Sequence, residues 1–312
     1  MAPYSVTRSV TVRVPATTAN LGPGFDCLAL ALDLWNRVTF RLDDSAPAGS
    51  LAVRIHGRGS TYLPLDRRNL TARAFSRLFE YAGESAPAAQ IECTNRLPLG
   101  SGLGSSASAV VAGLLGANAC LPQPYPQETL LTLAAEMEGH PDNAAAALWG
   151  GLVIVTSARA GGHIVRKVPS PRLQVALAVP SYHLPTQQAR AALPKSVPLA
   201  DAVFNLGRTA LVVEAVRCGD YALLAEALDD RLHQPYRLPL IPGAAQALQA
   251  AAEAGAAAAG LSGAGPSLIA FCAGDAQAVS QAMCAALRQA GLECEAFVLR
   301  TTSQAASVRV GA

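Results

Sequence analysis

The chain has 312 residues, 51% of them apolar and 15% charged, with a formal net charge of +2. That length suits about two domains and a core large enough to need no disulfides. The composition excludes a disordered chain, and the small net charge excludes a broad basic footprint for nucleic acid. Arginine carries nearly all the positive charge, Lys167 and Lys195 being the only lysines.

Residues 1–10 show no apolar core ahead of a cleavage site, so no signal peptide is expected. A strand is expected over 10–14, with further strands at 35–41 and 52–55. Asn69 can cap a helix reaching residue 81, with Leu70, Ala74, Leu78 and Tyr81 on one face. After a strand at 90–95, the glycine-rich run 100–104 leads into a helix over 105–119. That helix is apolar on nearly every side and so belongs inside the domain. A helix over 127–138 stops at Gly139, and Gly150-Gly151 opens a strand at 152–156. The Gly161-Gly162 turn and Pro169 to Pro171 mark the expected change of domain.

Beyond it come a strand at 173–179, helices near 186–193, 199–216 and 221–228, and a helix at 242–255. Two strands flank Gly263-Ala264-Gly265-Pro266, and a helix at 275–290 and a strand at 293–299 finish the chain. The second half thus has the element order of a split ferredoxin-like sandwich, and its exposed sheet edge suits a homodimer. The uncharged stretches 97–127 and 254–274 are too rich in Gly, Ser and Pro to supply the ~20 apolar residues of a membrane span. The seven cysteines form no Cys-x-x-Cys pair. They are expected to be reduced and mostly buried in a cytoplasmic protein.

The segment Pro98-Leu99-Gly100-Ser101-Gly102-Leu103-Gly104-Ser105-Ser106-Ala107 is the most informative. Alternating glycines let backbone wrap a ligand closely. The helix that follows aims unpaired N–H groups and about half a positive charge at the same place, and Ser105 and Ser106 add hydroxyls. These features fit a triphosphate. A Walker loop is excluded because the first half has no lysine. A dinucleotide fingerprint is excluded because Ser105 stands where its third glycine belongs, and a nucleophile elbow because neither serine has glycines two residues to each side. Two more glycine segments, Pro15 to Cys27 and Gly260 to Ser267, lie near the two ends of the chain. Each alone reads as a turn; together with the central run they suit one glycine-built site between two domains.

With these three segments in this order the chain resembles the GHMP kinases over nearly its whole length. Pro15 to Asp26, Glu138-Gly139-His140-Pro141-Asp142-Asn143 and Gly150-Gly151 are most similar to the branch that phosphorylates the amino acid homoserine. A galactokinase-like sugar signature and the acidic Pro-Ser-Gly context of mevalonate kinases are both missing.

The resemblance implies an α+β, two-domain GHMP kinase fold. Residues 1–165 would form a ribosomal-S5-like ATP-binding domain, and 166–312 a ferredoxin-like α/β sandwich. It implies ATP and magnesium, with residues 98–107 and Gly263 on the nucleotide. The metal would be held by Ser106 and a glutamate, Glu136 being favoured and Glu138 the alternative. Asn20, Asn143 and His140 would surround the reacting hydroxyl. Asp26, Thr186, Arg190 and Arg237 would bind the amino acid, the two arginines forking onto its carboxylate and Asp26 balancing its ammonium. The competing readings are a sibling kinase for another small alcohol and a non-catalytic sensor on the same fold.

Overall fold

The computed structural model describes residues 9–311, so the segment read for a targeting signal lies almost wholly outside the described residues. The chain opens with β1 (Ser9–Ala19), β2 (Leu28–Leu42), β3 (Leu51–Gly57), α1 (Leu70–Tyr81), β4 (Ala89–Asn95), α2 (Ser105–Asn118), α3 (Gln127–Glu138), α4 (Asp142–Trp149), β5 (Leu152–Ser157) and β6 (His163–Val168). It continues with β7 (Gln174–Pro180), α5 (Thr186–Ala191), α6 (Leu199–Cys218), α7 (Tyr221–Ala227), α8 (Gln234–Arg237), α9 (Ala244–Glu253), β8 (Ala258–Leu261), β9 (Leu268–Phe271), α10 (Ala276–Gln289), β10 (Cys294–Arg300) and β11 (Ser307–Gly311). Among the described residues no helix is long and apolar enough to cross a membrane.

The first sheet runs β11-β1-β2-β4-β3, with β5 and then β6 added from the far half of β2. Only the β3–β4 pair in it is parallel. Helices α1 to α4 lie against it, and α2 is at their centre. Gly113 of α2 sits so close to α1 that a Cβ there would strike the Thr71 carbonyl and come within 2.6 Å of Ala74 Cβ. Asn69 does cap α1, its side chain accepting from the Thr71 amide. The second sheet, β10-β7-β9-β8, is antiparallel throughout and carries α9 and α10, which is the ferredoxin-like order. Helices α5 to α8 are inserted between its first strand and α9.

Strand β2 starts seven residues before the expected residue 35. Its leading run, Leu28 to Leu32, is buried on both faces, with Ala29 in the core under α2 and Leu28, Leu30 and Leu32 in a core shared with β7 and α6. A strand buried on both faces shows no alternation to read. The expected division at 165/166 falls inside β6. The chain does not stay in the second unit either: β11 returns to pair with β1, Val12 facing Val308 and Val10 facing Val310. That strand is short and largely exposed, and its two alternating valines are too few to mark it. All seven cysteines are unpaired, and five are buried.

Candidate active site

A cavity of about 280 Å³ opens between the two units, and all three glycine segments reach it. Its floor is the N-terminus of α2. Gly104 takes a left-handed conformation there and no side chain caps the helix, so the first-turn amides are left for a ligand. Glycine is required for space as well as for φ. A Cβ on Gly104 would strike Thr17 Oγ1, and one on Gly102 would strike the Ser262 carbonyl.

The loop is braced from both ends of the chain. The Thr17 amide donates to the Leu103 carbonyl, and the Ser267 amide to the Ser101 carbonyl. Ser262 Oγ donates to the Gly102 carbonyl at 2.8 Å. The first and third segments are stapled to each other by Asn20, whose Nδ2 donates to the Gly263 carbonyl at 2.7 Å while its Oδ1 accepts from the Asp26 amide. Asn20, Leu21 and Asp26 all have positive φ. Non-glycine residues hold that conformation only where their surroundings fix it.

On the side of α2, Ser106 Oγ donates to Glu138 Oε1 at 2.7 Å. Burial pushes the Glu138 carboxyl above its ordinary value, an effect that the Ser106 hydroxyl offsets in part. Glu136, the glutamate favoured above, does not reach the cavity and instead pairs with Arg77 on the surface at 3.1 Å. Two residues on a helix differ by about 200°, so only one of the pair can face the site. Among the described residues no group of three or more His, Cys, Asp or Glu is arranged to hold a metal ion by itself. A hydroxyl and one carboxylate still fit magnesium, which commonly takes one or two protein ligands and completes its shell with phosphates and water.

Asp142, at the start of α4, is buried, and its Oδ1 accepts from His140 Nδ1 at 2.8 Å, from the Asn143 amide and from Asn143 Nδ2. Burial works against the charged His140 ring, but the bond to Asp142 and its charge outweigh that and raise the pKa. Asn143 Oδ1 accepts from Thr17 Oγ1 at 2.8 Å. Asn20 and Asn143 therefore each keep one Nδ2 hydrogen for a ligand.

At the opposite wall stand Thr186, Arg190 and Arg237. Arg190 forks onto Asp26 at 2.7 and 2.8 Å. The expected arrangement, in which both arginines are free for a carboxylate and Asp26 for an ammonium, therefore holds for Arg237 alone in this state. Arg237 is 1% exposed, yet among the described residues it forms no ion pair. It lies over Phe25 and donates to the Ala189 carbonyl, and burial lowers its pKa to about 10, which leaves it charged at neutral pH.

Of the expected residues, Pro98, Leu99, Leu103 and Glu136 do not line this cavity; Leu103 is fully buried in the shared core. Asp142, His183, Leu184 and Pro185 line it without having been singled out as site residues. Asp142 was legible as an acidic first-turn residue two positions after His140; His183 is an imidazole outside the three glycine segments, and Leu184 and Pro185 carry no distinguishing chemistry. A second, more apolar cavity of about 320 Å³ lies on the far side of Ser105 and Ser106, between Tyr62, Leu63, Pro64, Asn69 and Leu99.

Residues 69–151 match the GHMP kinases N terminal domain, and residues 212–289 match the GHMP kinases C terminal domain. The chain belongs to the GHMP kinase family. It is 45% identical over 285 residues to homoserine kinase from Moorella thermoacetica, spanning 91% of this chain and 94% of that one. To homoserine kinase from Prochlorococcus marinus it is 44% identical over 301 residues, spanning 96% and 95%. The crystal structure of homoserine kinase from Cytophaga hutchinsonii superposes with a TM-score of 0.86 at 32% identity, covering 98% of each chain. A mevalonate kinase from L. major shares the fold alone, with a TM-score of 0.68 at 16% identity. Membership of this family makes the chain an ATP-dependent kinase.

Proposed function

We propose that the chain transfers the γ-phosphoryl group of ATP to the side-chain hydroxyl of L-homoserine, giving O-phospho-L-homoserine for threonine synthesis. The observation that carries this reading is Arg237, a buried cation without a protein counter-ion at one end of a cavity whose other end is an open helix N-terminus. A buried unpaired charge is costly, so a site that keeps one is built for an anionic group of its ligand. An amino acid brings one carboxylate and one ammonium. Arg237 takes the first, with Arg190 shared between Asp26 and that carboxylate; Asp26 takes the second.

Phosphoryl transfer needs positioning and charge neutralisation more than a strong base. The first-turn amides of α2 hold the phosphates, the carbonyl–amide bonds that brace the glycine loop keep those amides in place, and the apolar cavity beside Ser105 and Ser106 suits the nucleoside. Ser106 and Glu138 would hold magnesium, which when bound supplies charge that neutralises phosphate oxygens. The free Nδ2 hydrogens of Asn20 and Asn143 orient the hydroxyl, with His140 fixed beside them by Asp142, and the proton leaves with the phosphoryl oxygens.

An ADP-release assay with L-homoserine, mevalonate and galactose tests the reading. Turnover is expected with homoserine alone; turnover with another alcohol, or with none, refutes it. We further propose a homodimer formed through the open edge of β10, which among the described residues pairs only with β7, to be checked by light scattering after size exclusion. A cytoplasmic site of action fits the seven unpaired cysteines.

A further inference from the structure

Arg237 can select a carboxylate only if its guanidinium is held in one place, and one side chain touches both that guanidinium and the Phe25 ring beneath it. His233 is 0% exposed and sits one helical turn before Arg237. Its Nε2 lies 2.7 Å from the Gly22 carbonyl, to which it donates. That fixes the tautomer and leaves Nδ1 as an acceptor, 3.4 Å from Arg237 Nη1. The ring also stacks on Phe25 at 5.3 Å, and Phe25 is the same ring over which Arg237 and Arg190 lie.

Behind His233 stands Asp230, buried and also unused by the proposed chemistry. It accepts from the amides of Leu232, His233 and Gln234 and from Asn205 Nδ2 at 2.7 Å. Asn205 and Thr209 in turn donate to the Pro23 carbonyl. The loop from Asn20 to Asp26 is thus gripped from the second unit by His233, Asn205 and Thr209. A Cβ on Gly22 would strike the Leu228 carbonyl, so that loop cannot settle elsewhere without breaking these contacts.

We propose that His233 is a positioning residue for carboxylate recognition. Its Nδ1 lone pair orients the Arg237 guanidinium, and its Nε2–H locks the Gly22 turn that carries Phe25 and Asp26 against it. The inference rests on the assignment of homoserine as substrate and of Arg237 to its carboxylate, and it deepens that assignment by naming what makes the site specific for an amino acid over a plain amino alcohol.

Two substitutions separate the two ring nitrogens. His233→Gln can keep a donor near Gly22 but lacks an acceptor at the Nδ1 position; His233→Asn keeps the acceptor and loses the donor. For His233→Gln, KM for L-homoserine is expected to rise about tenfold while kcat and KM for ATP stay within about twofold. With 3-aminopropan-1-ol, which is homoserine without its carboxylate, kcat/KM is expected to match the wild type. A homoserine KM within twofold of wild type, or equal losses on both alcohols, overturns the proposal. Should His233→Gln not fold, His233→Asn decides alone: it frees the Gly22 turn, so a kcat/KM for homoserine that falls further than that for 3-aminopropan-1-ol supports the proposal, and equal losses on the two alcohols, or none, overturn it. Arg237→Gln is run alongside. If it leaves the homoserine KM unchanged, the assignment of Arg237 to the carboxylate has failed; if it raises KM and His233→Gln does not, only the role of His233 has.

Discussion

Glu136 and Glu138 differ by two positions on one helix and by everything in their surroundings. Glu136 is an exposed partner of Arg77, an arrangement worth at most about 1 kcal/mol. Glu138 is half-buried beside Ser106, and loss of solvent pushes its carboxyl above the ordinary value of 4.5. A carboxyl whose pKa is raised by folding lowers stability as pH climbs past its unfolded value, because the native state holds its proton more tightly. Glu138→Gln should therefore melt at an equal or higher temperature than wild type at pH 7, with the gap closing as pH falls below about 4.5. The same substitution should lower kcat/KM for magnesium-ATP by at least about 100-fold, since the carboxylate reserved for the metal is gone. Glu136→Gln should leave both measurements close to wild type. Melting curves across pH, set beside steady-state kinetics, check all three statements. The ambiguity between the two glutamates could not be resolved from the sequence, because both lie within the last turn of α3 and only the direction of the helix decides which one meets Ser106.

Elements were legible where a periodic apolar face had a chemical stop. Helix α1 begins after its Asn69 cap, α2 begins at Ser105 after Gly104, and α3 spans Gln127–Glu138 and ends at Gly139, each as the residues predict. What could not be read were elements too short or too enclosed to carry a period: α4 with eight residues, α8 with four, β6 and β11 at the edges, and the first half of β2. The missed α4 matters most, since its first turn places Asp142 and Asn143. The glycines around these elements divide into two kinds that mutation can tell apart. Gly104 and Gly139 both have positive φ, but a Cβ on Gly139 meets nothing within 4 Å, whereas one on Gly104 strikes Thr17. Gly139→Ala should cost only the left-handed strain, roughly 1–2 kcal/mol, with activity retained. Gly104→Ala should add to that the displacement of Thr17, which holds Asn143 at 2.8 Å, and so lower kcat/KM for ATP by at least about tenfold. Equal kinetic losses in the two variants would show that strain alone, and not the space at the phosphate loop, explains both glycines.

At the scale of the molecule, the two units expected from sequence do not own separate interiors. Leu28, Leu30 and Leu32 of β2 pack in one buried cluster with Val175 and Leu177 of β7 and with Val212 and Val216 of α6. The same boundary is crossed by the Asn20–Gly263 bond and by the Arg58–Glu295 ion pair, and β11 closes the first sheet from the end of the chain. Of these, the apolar cluster dominates: burying each large aliphatic side chain contributes about 1.5–3 kcal/mol, while a half-exposed ion pair contributes little. Splitting the chain at 165/166 would open that cluster on both fragments and leave the β1 edge unpaired, which favours edge-to-edge association. Calorimetry of the intact protein should therefore show one cooperative transition, with van't Hoff and calorimetric enthalpies equal. Residues 1–165 expressed alone should aggregate or stay unfolded, and mixing them with 166–312 should restore activity only if the halves refold together. Two separated transitions, or a soluble folded first half that binds ATP unaided, would mean that the shared core is not what holds the phosphate loop against the substrate wall.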